Sequence, residues 1–173
     1  RAPVRGRHGF KDDALRMDGV SIRAPVRGRL HWCGFPLFLY AILGNDCRGA
    51  LEGVGLDPAV GFLHADRPGR MSLALDLMEE MRPVLADRLA LSLINRSQLA
   101  VSDFEESETG AFLLTDSGRK IVLTAYSERK RQPLRHPFLG EDMALGLVPH
   151  VQAQMLASHL RGDLDGYPGF IWK

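Results

Sequence analysis

The sequence predicts a mainly α-helical fold, a helical bundle, from three observations. Leucine-rich segments place apolar residues three or four apart over several turns, the spacing that lines one face of a helix. Glycines and prolines stand where those segments begin and end, as helix starts and stops require. Neither a phosphate-binding loop nor a dinucleotide fingerprint accompanies them, so nothing points to a nucleotide-binding α/β sheet. At 173 residues and 45% apolar content, the chain holds one domain's worth of core.

The elements follow in order. Residues 37–54 read as a helix, with Leu39, Ile42, Leu43, Cys47, Ala50 and Leu51 on its apolar face and Gly55 as its C-terminal cap. Asp57 and Pro58 make a turn. Phe62 and Leu63 form a short apolar approach to His64, and residues 67–69 are loop. Ser72 is placed to cap a helix through Leu73, Leu75, Leu77 and Met78. Pro83 kinks or restarts that helix, because proline removes a backbone donor. Residues 84–99 repeat apolar positions at Leu85, Leu89, Leu93 and Ile94. Residues 102–110 read as acidic loop, and residues 112–114 as a short strand or a hydrophobic anchor. Asp116 or Ser117 caps the next helix, which runs to about Arg131. Residues 132–143 read as loop. Pro149 sits in the first turn of a last helix ending near Arg161 and Gly162. The aromatic tail, residues 167–172, lies down on the bundle.

The first 34 residues read as a separate, disordered or non-native segment, and residues 35–173 as the helical domain. RAPVRGR occurs at residues 1–7 and again at 23–29. Two short copies rich in Arg, Pro and Gly bury no core.

The chemistry concentrates in residues 61–83, GFLHADRPGRMSLALDLMEEMRP. His64 stands in a Gly/Pro-rich loop ahead of a helix carrying Asp76, Glu79 and Glu80. Asp76 and Glu79, three apart, share a helix face. A loop folding back would bring His64 to that face. Imidazole and carboxylates are a ligand set for divalent ions such as manganese and magnesium, and such an ion activates an oxygen and neutralises phosphate in nucleotidyl transfer. The ordinary reading of the same residues is a capped, solvated helix surface. For Arg70 and Arg82 the alternatives are phosphate contact or a packing ion pair with Glu79 or Glu80.

A formal net charge of +1 creates no global field for nucleic acid. A local patch, Arg119, Lys120, Arg129, Lys130, Arg131 and Arg135, suits a phosphate backbone, or else a solvated helix face. Cys33 and Cys47 lack metal-type spacing, and their use fits a reduced, cytoplasmic setting. The longest apolar run, residues 36–43, is too short to span a bilayer, and the basic start lacks the apolar core of a secretory signal. His136, before Pro137, reads as a loop or DNA-contacting residue. His150 and His159 face different sides of one helix and read as core or surface. Ser92, Ser97 and Ser102 have no His and Asp grouping for a nucleophilic triad.

The strings GFLH, SLALDL-x-EE-x-RP, LYAILGNDCRGALEGVGLDPAV, LADRLALSLINRSQL, LLTDSGRKIVLTAYSERK, HPFLGE and VPHVQAQMLASHLRGDLDGYPGFIWK resemble CRISPR-associated protein 1, the integrase that inserts spacers into CRISPR arrays, in its subtype I-C form. The resemblance covers residues 37–173. It implies the helical C-terminal catalytic domain of that family and a metal-dependent DNA endonuclease or integrase. It implies a Mn2+ or Mg2+ site with His64 and Glu79 as ligands and Asp76 lining it. It implies DNA (spacer precursor and array) as partner, with a small ferredoxin-like CRISPR protein and a second copy of the chain. The family's other metal-binding Glu sits in an upstream Glu-Gly motif that finds no match here. Glu52 and Gly53 stand in the wrong context, and the family's N-terminal β-domain is expected to be absent. The alternative function is therefore a non-catalytic remnant, an inert bundle or a weak DNA-binding module. The second copy, extended to VSIRAPVRGR, also resembles a translated CRISPR repeat. The 22-residue offset (23 minus 1) corresponds to about one repeat plus one spacer.

Overall fold

The structure, a computed structural model, describes residues 29–64, 67–106, 108 and 112–172. Of residues 1–34, read as a disordered or non-native segment, residues 1–28 lie outside those described, and residues 29–34 are helical.

The longest helix, α1 (Arg29–Gly53), begins eight residues ahead of the expected start at residue 37 and carries Pro36 within it. Leu39, Leu43, Cys47 and Leu51, spaced by four, are wholly buried along one side. Gly55 adopts φ +82°, and the N–H of Leu56 returns to the Leu51 carbonyl at 3.0 Å. That is the left-handed cap expected of glycine after a helix.

Helix α2 (Ser72–Met81) packs on α1. Ser72 does not cap it. Ser72 is buried at the first helical position, and the carbonyl of Pro58 accepts from the N–H groups of Leu73 (2.9 Å) and Ala74 (3.2 Å). A folded-back backbone carbonyl thus satisfies donors that a helix start leaves open. The expected kink at Pro83 is a π-helical turn, Arg82–Asp87, which passes the proline without ending the rod. It continues into α3 (Arg88–Asn95), shorter than the 84–99 segment, and Ser97 turns left-handed at φ 53°.

Two small hairpins use stretches that read as loop, and residues 112–114 take the short-strand form of their two readings. Strand β1 (Phe104–Glu106), inside the stretch read as acidic loop, pairs antiparallel with β2 (Phe112–Leu114). Helix α4 (Asp116–Arg131) follows. Thr115, not Asp116 or Ser117, caps it, with its hydroxyl accepting from Gly118 N–H at 3.2 Å. Strands β3 (Pro133–Arg135) and β4 (Asp142–Ala144) form the second hairpin within the expected 132–143 loop, with Gly140 at φ +67° in its turn. Helix α5 (Val148–Leu160) has Pro149 in its first turn, as expected. The core gathers α1, α2, α3 and α5 around Leu77, Met81, Leu85, Leu93, Val148 and Ala153. The tail's Phe170 is buried against the bundle, as the aromatic tail predicts.

Candidate functional site: a histidine on a carboxylate-anchored loop

Asp76 points from α2 into the protein, and its side chain is fully buried. A buried carboxylate must be compensated by donors, and here the loop supplies four. The N–H groups of Phe62 (2.7 Å) and Leu63 (3.0 Å) donate to Oδ2, and that of His64 donates to Oδ1 at 3.0 Å. The fourth contact joins His64 Nδ1 to Oδ1 at 2.6 Å. Burial alone would raise the Asp76 carboxyl. The backbone donor of Leu63, the His64 ring and the N–H groups of Phe62 and His64 outweigh it and hold the group below the usual carboxylate range.

The consequence falls on His64. Against an ionised acceptor, the neutral form of the ring places its proton on Nδ1, and in that form Nε2 carries the lone pair. The imidazole is 27% exposed on its side chain, so it is reachable. Gly61 makes the approach possible: a Cβ there would stand 2.6 Å from Ser72 Cβ and 3.0 Å from Asp76 Oδ2.

Glu79 lies one turn along α2. Arg82 Nη1 stands 3.1 Å from each of its oxygens, so the packing ion pair weighed for Arg82 is what the geometry contains. Arg82 also lies over the Tyr40 ring at 5.5 Å, and Tyr40 donates to Asp87 at 2.7 Å. Burial first, then that bond to Asp87, pushes the Tyr40 phenol up. Arg82 Nε is buried without a hydrogen-bond partner among the described residues, with Asp87 Oδ2 3.8 Å away. Glu80 faces elsewhere. Its oxygens accept from Tyr167 O–H (2.7 Å), Gln152 N–H (2.9 Å) and Phe170 N–H (2.7 Å).

The structure therefore joins His64 to Asp76 and turns Glu79 to Arg82. Among the described residues, no group of three His, Cys, Asp or Glu side chains is arranged to hold a metal ion. The donors on hand are one imidazole nitrogen and a carboxylate engaged by arginine, with Asp76 already saturated. By themselves these residues make an incomplete site for manganese or magnesium, which take several oxygen ligands.

The basic patch divides in the same way. Lys130 pairs with Asp46 at 2.7 Å, and Arg129 turns inward to the Val84 carbonyl at 3.3 Å and to Gln132. Arg119 pairs with the exposed Asp116 at 3.3 Å. Arg131 and Arg135 remain exposed. His136 stands in the loop that follows β3, as its reading has it, but its side chain turns inward. It is wholly buried, with Nε2 at 3.2 Å from Gln152 and Nδ1 accepting from Leu139 N–H. No local signal announced Gln152, Tyr40 or Asp87, whose partners lie 16, 47 and 47 residues away.

The family model for CRISPR associated protein Cas1 matches residues 37–128. The chain belongs to the Cas1 family. It is 70% identical over 136 residues to the CRISPR-associated endonuclease Cas1 2 of Rhodospirillum rubrum, covering 79% of this chain and 40% of that protein. It is 52% identical over 162 residues to a Cas1 endonuclease of Chlorobaculum tepidum, covering 94% of this chain and 46% of that one. Among solved structures, a casposase bound to integration product matches with a TM-score of 0.71 at 27% identity, over 76% of this chain and 36% of that one. A Cas1 protein from Thermotoga maritima matches with a TM-score of 0.67 at 27% identity, over 74% and 39%. The chain thus spans less than half the length of these relatives, and the helical bundle is the part of the Cas1 fold it carries.

Proposed function

We propose that this chain is the helical portion of a metal-dependent DNA endonuclease and integrase of CRISPR spacer acquisition, of the subtype I-C kind. It contributes the histidine half of a site that other protein groups must complete. The observation that carries the reading is the His64–Asp76 pair at 2.6 Å, inside the motif region of a Cas1-family bundle. Asp76 acts as a positioning residue. It keeps the proton on Nδ1 and aims Nε2 outward, the arrangement by which a carboxylate orients a metal-binding histidine. Glu79 is the second donor once Arg82 yields it. The ion, when bound, neutralises phosphate charge and activates an attacking oxygen. Arg70, in the loop, and the exposed Arg131 and Arg135 hold the DNA backbone. DNA, a small ferredoxin-like CRISPR protein and a second copy of the chain are the partners of this reading, in the cytoplasm. No helix among the described residues is long and apolar enough to cross a membrane.

A strand-transfer assay with manganese or magnesium tests it. The isolated chain binds DNA in a salt-sensitive way and does not integrate a short duplex into a CRISPR array, with or without the ferredoxin-like protein. Robust integration that disappears in His64→Ala would show that a further acid, such as Glu52 or Glu80, completes the site. Both are otherwise engaged, Glu52 by Arg48 at 2.8 Å. The absence of a three-donor group among the described residues favours a second reading, a non-catalytic DNA-binding module. It predicts DNA affinity that His64→Ala leaves unchanged and that manganese does not alter.

A further inference from the structure

Arg82 stands between two carboxylates. Its Nη1 lies 3.1 Å from each oxygen of Glu79. Its Nε is buried and makes no hydrogen bond among the described residues, while Asp87 Oδ2 is 3.8 Å away, beyond hydrogen-bond reach. The backbone explains why two acids lie so near. Glu79 is three residues before Arg82 on α2, the spacing of helical neighbours. Asp87 is five residues after it, and on an α-helix residues five apart point to different faces. Residues 82–87, however, form the π turn. Its hydrogen bonds span five residues, as from the Arg88 N–H to the Pro83 carbonyl, so residues five apart come one above the other. The turn that absorbs Pro83 therefore gives Arg82 its second acid.

Tyr40 prepares that second seat. Its hydroxyl donates to Asp87 Oδ1 at 2.7 Å, which holds the carboxylate with Oδ2 toward Arg82 Nε. Its ring lies against the guanidinium at 5.5 Å, a cation–π shelf common to both positions. The two acids differ in access. The Glu79 side chain is 38% exposed and that of Asp87 16%, so a cation arriving from solvent meets Glu79 and not Asp87. A guanidinium that leaves Glu79 has only to close the short gap to Asp87, and it keeps the ring.

We propose that Arg82 is a two-position latch: it holds Glu79 at rest and passes to Asp87 when Glu79 takes another cation. Asp87 and Tyr40 are then positioning residues that act on Glu79 through Arg82. The inference rests on the reading of Glu79 as a metal donor and deepens it.

The test follows the Arg82 Nε–H resonance by NMR in the whole chain with isotope-labelled arginine, assigned by its loss in Arg82→Lys. Glu79→Ala puts a strong helix former at a half-buried helical position and keeps the fold, which circular dichroism checks. In that variant the Nε–H signal moves downfield and exchanges with water several-fold more slowly, because the guanidinium now donates to Asp87. Asp87→Asn, added to Glu79→Ala, removes both changes. Tyr40→Phe in place of Asp87→Asn keeps the Asp87 charge and weakens them. Mg2+ added to the wild type reproduces them. If the Nε–H signal of Glu79→Ala matches that of the wild type, the latch is refuted, whatever Mg2+ does to the Glu79 and His64 signals. If the change survives in the double variant with Asp87→Asn, Asp87 is not the second seat and the proposal is overturned. The same holds if Mg2+ moves the Glu79 signals and leaves Nε–H where it was. If Glu79→Ala shifts Nε–H and Mg2+ moves neither signal, the second seat at Asp87 stands and the metal reading of Glu79 falls.

Discussion

Two carboxylates on α2, four residues apart, do the same physical job with different results. Asp76 grips the 62–64 loop through three backbone N–H groups and one imidazole. Glu80 grips the tail through Tyr167, Gln152 and Phe170. Each is a charge stabilised by charge-assisted hydrogen bonds. The Asp76 grip ends in a ring with a nitrogen still unspent, whereas the donors around Glu80 are consumed in structure. Gln152 also donates to the Pro168 carbonyl at 3.1 Å and contacts His136, and Phe170 packs against the His136 ring at 5.7 Å. A carboxylate anchor therefore leaves a group available for chemistry when one of its donors keeps a second, exposed face, and acts as a lock when none does.

The largest expected effect breaks the first anchor. Asp76→Ala leaves three loop N–H groups without their acceptor and should cost about 3–5 kcal/mol, the range for removing one partner of a buried pair. Chemical denaturation reads the stability, and the His64 ring NMR signals should report loss of a single Nδ1–H tautomer. Unchanged ring signals would separate His64 from Asp76. Breaking the second anchor should do less to the site. Glu80→Ala should cost about 2–3 kcal/mol and raise amide exchange at Phe170, while the His64 signals stay in place. A shift of His64 in that variant would mean that the two anchors are coupled.

Gly61→Ala sharpens the comparison without touching a carboxylate. Its Cβ would collide with Ser72, so the loop must move off α2, at about 1–3 kcal/mol for overpacking. Thermal melting should show the loss, with exchange rising at Phe62 and Leu63 and not in the tail. The smallest effect lies between the anchors, at Cys47. Burial first, then Asp46 and Glu80, raises its thiol to about 12. Unfolding restores an ordinary thiol near ~8.5. Above that pH the unfolded chain loses a proton that the native state keeps, so stability falls as pH rises, by about 1.4 kcal/mol per unit until about 12. Denaturation curves at pH 8 and 9.5 measure this, and Cys47→Ala should flatten the difference. Glu80→Gln should lessen it, because one of the charges that raises the thiol is gone.

Contacts within a turn or a short loop were legible in residues alone. The spacing of Leu39, Leu43, Cys47 and Leu51 predicted the buried face of α1. Gly55 marked its end, Pro149 the start of α5, and the GFLH and LALD strings carried the family. These follow from helix geometry and from residue-specific backbone limits, which act over three or four positions. Tertiary structure alone decided that Pro58 caps α2 in place of Ser72, that residues 132–143 form a hairpin, and that Pro83 is absorbed by a π turn. It also decided that His136 is a core residue and that Asp76, Glu79 and Glu80 face three different partners. A carboxylate's role depends on which donors reach it, and the donors to Glu80 come from 72 to 90 residues away. Periodicity placed the three acids on one helix. The pairing of Glu79 with Arg82 is local, one turn along the helix, whereas only the packed bundle could bring a loop to Asp76 and the tail to Glu80, because burying each charge required a separate set of donors.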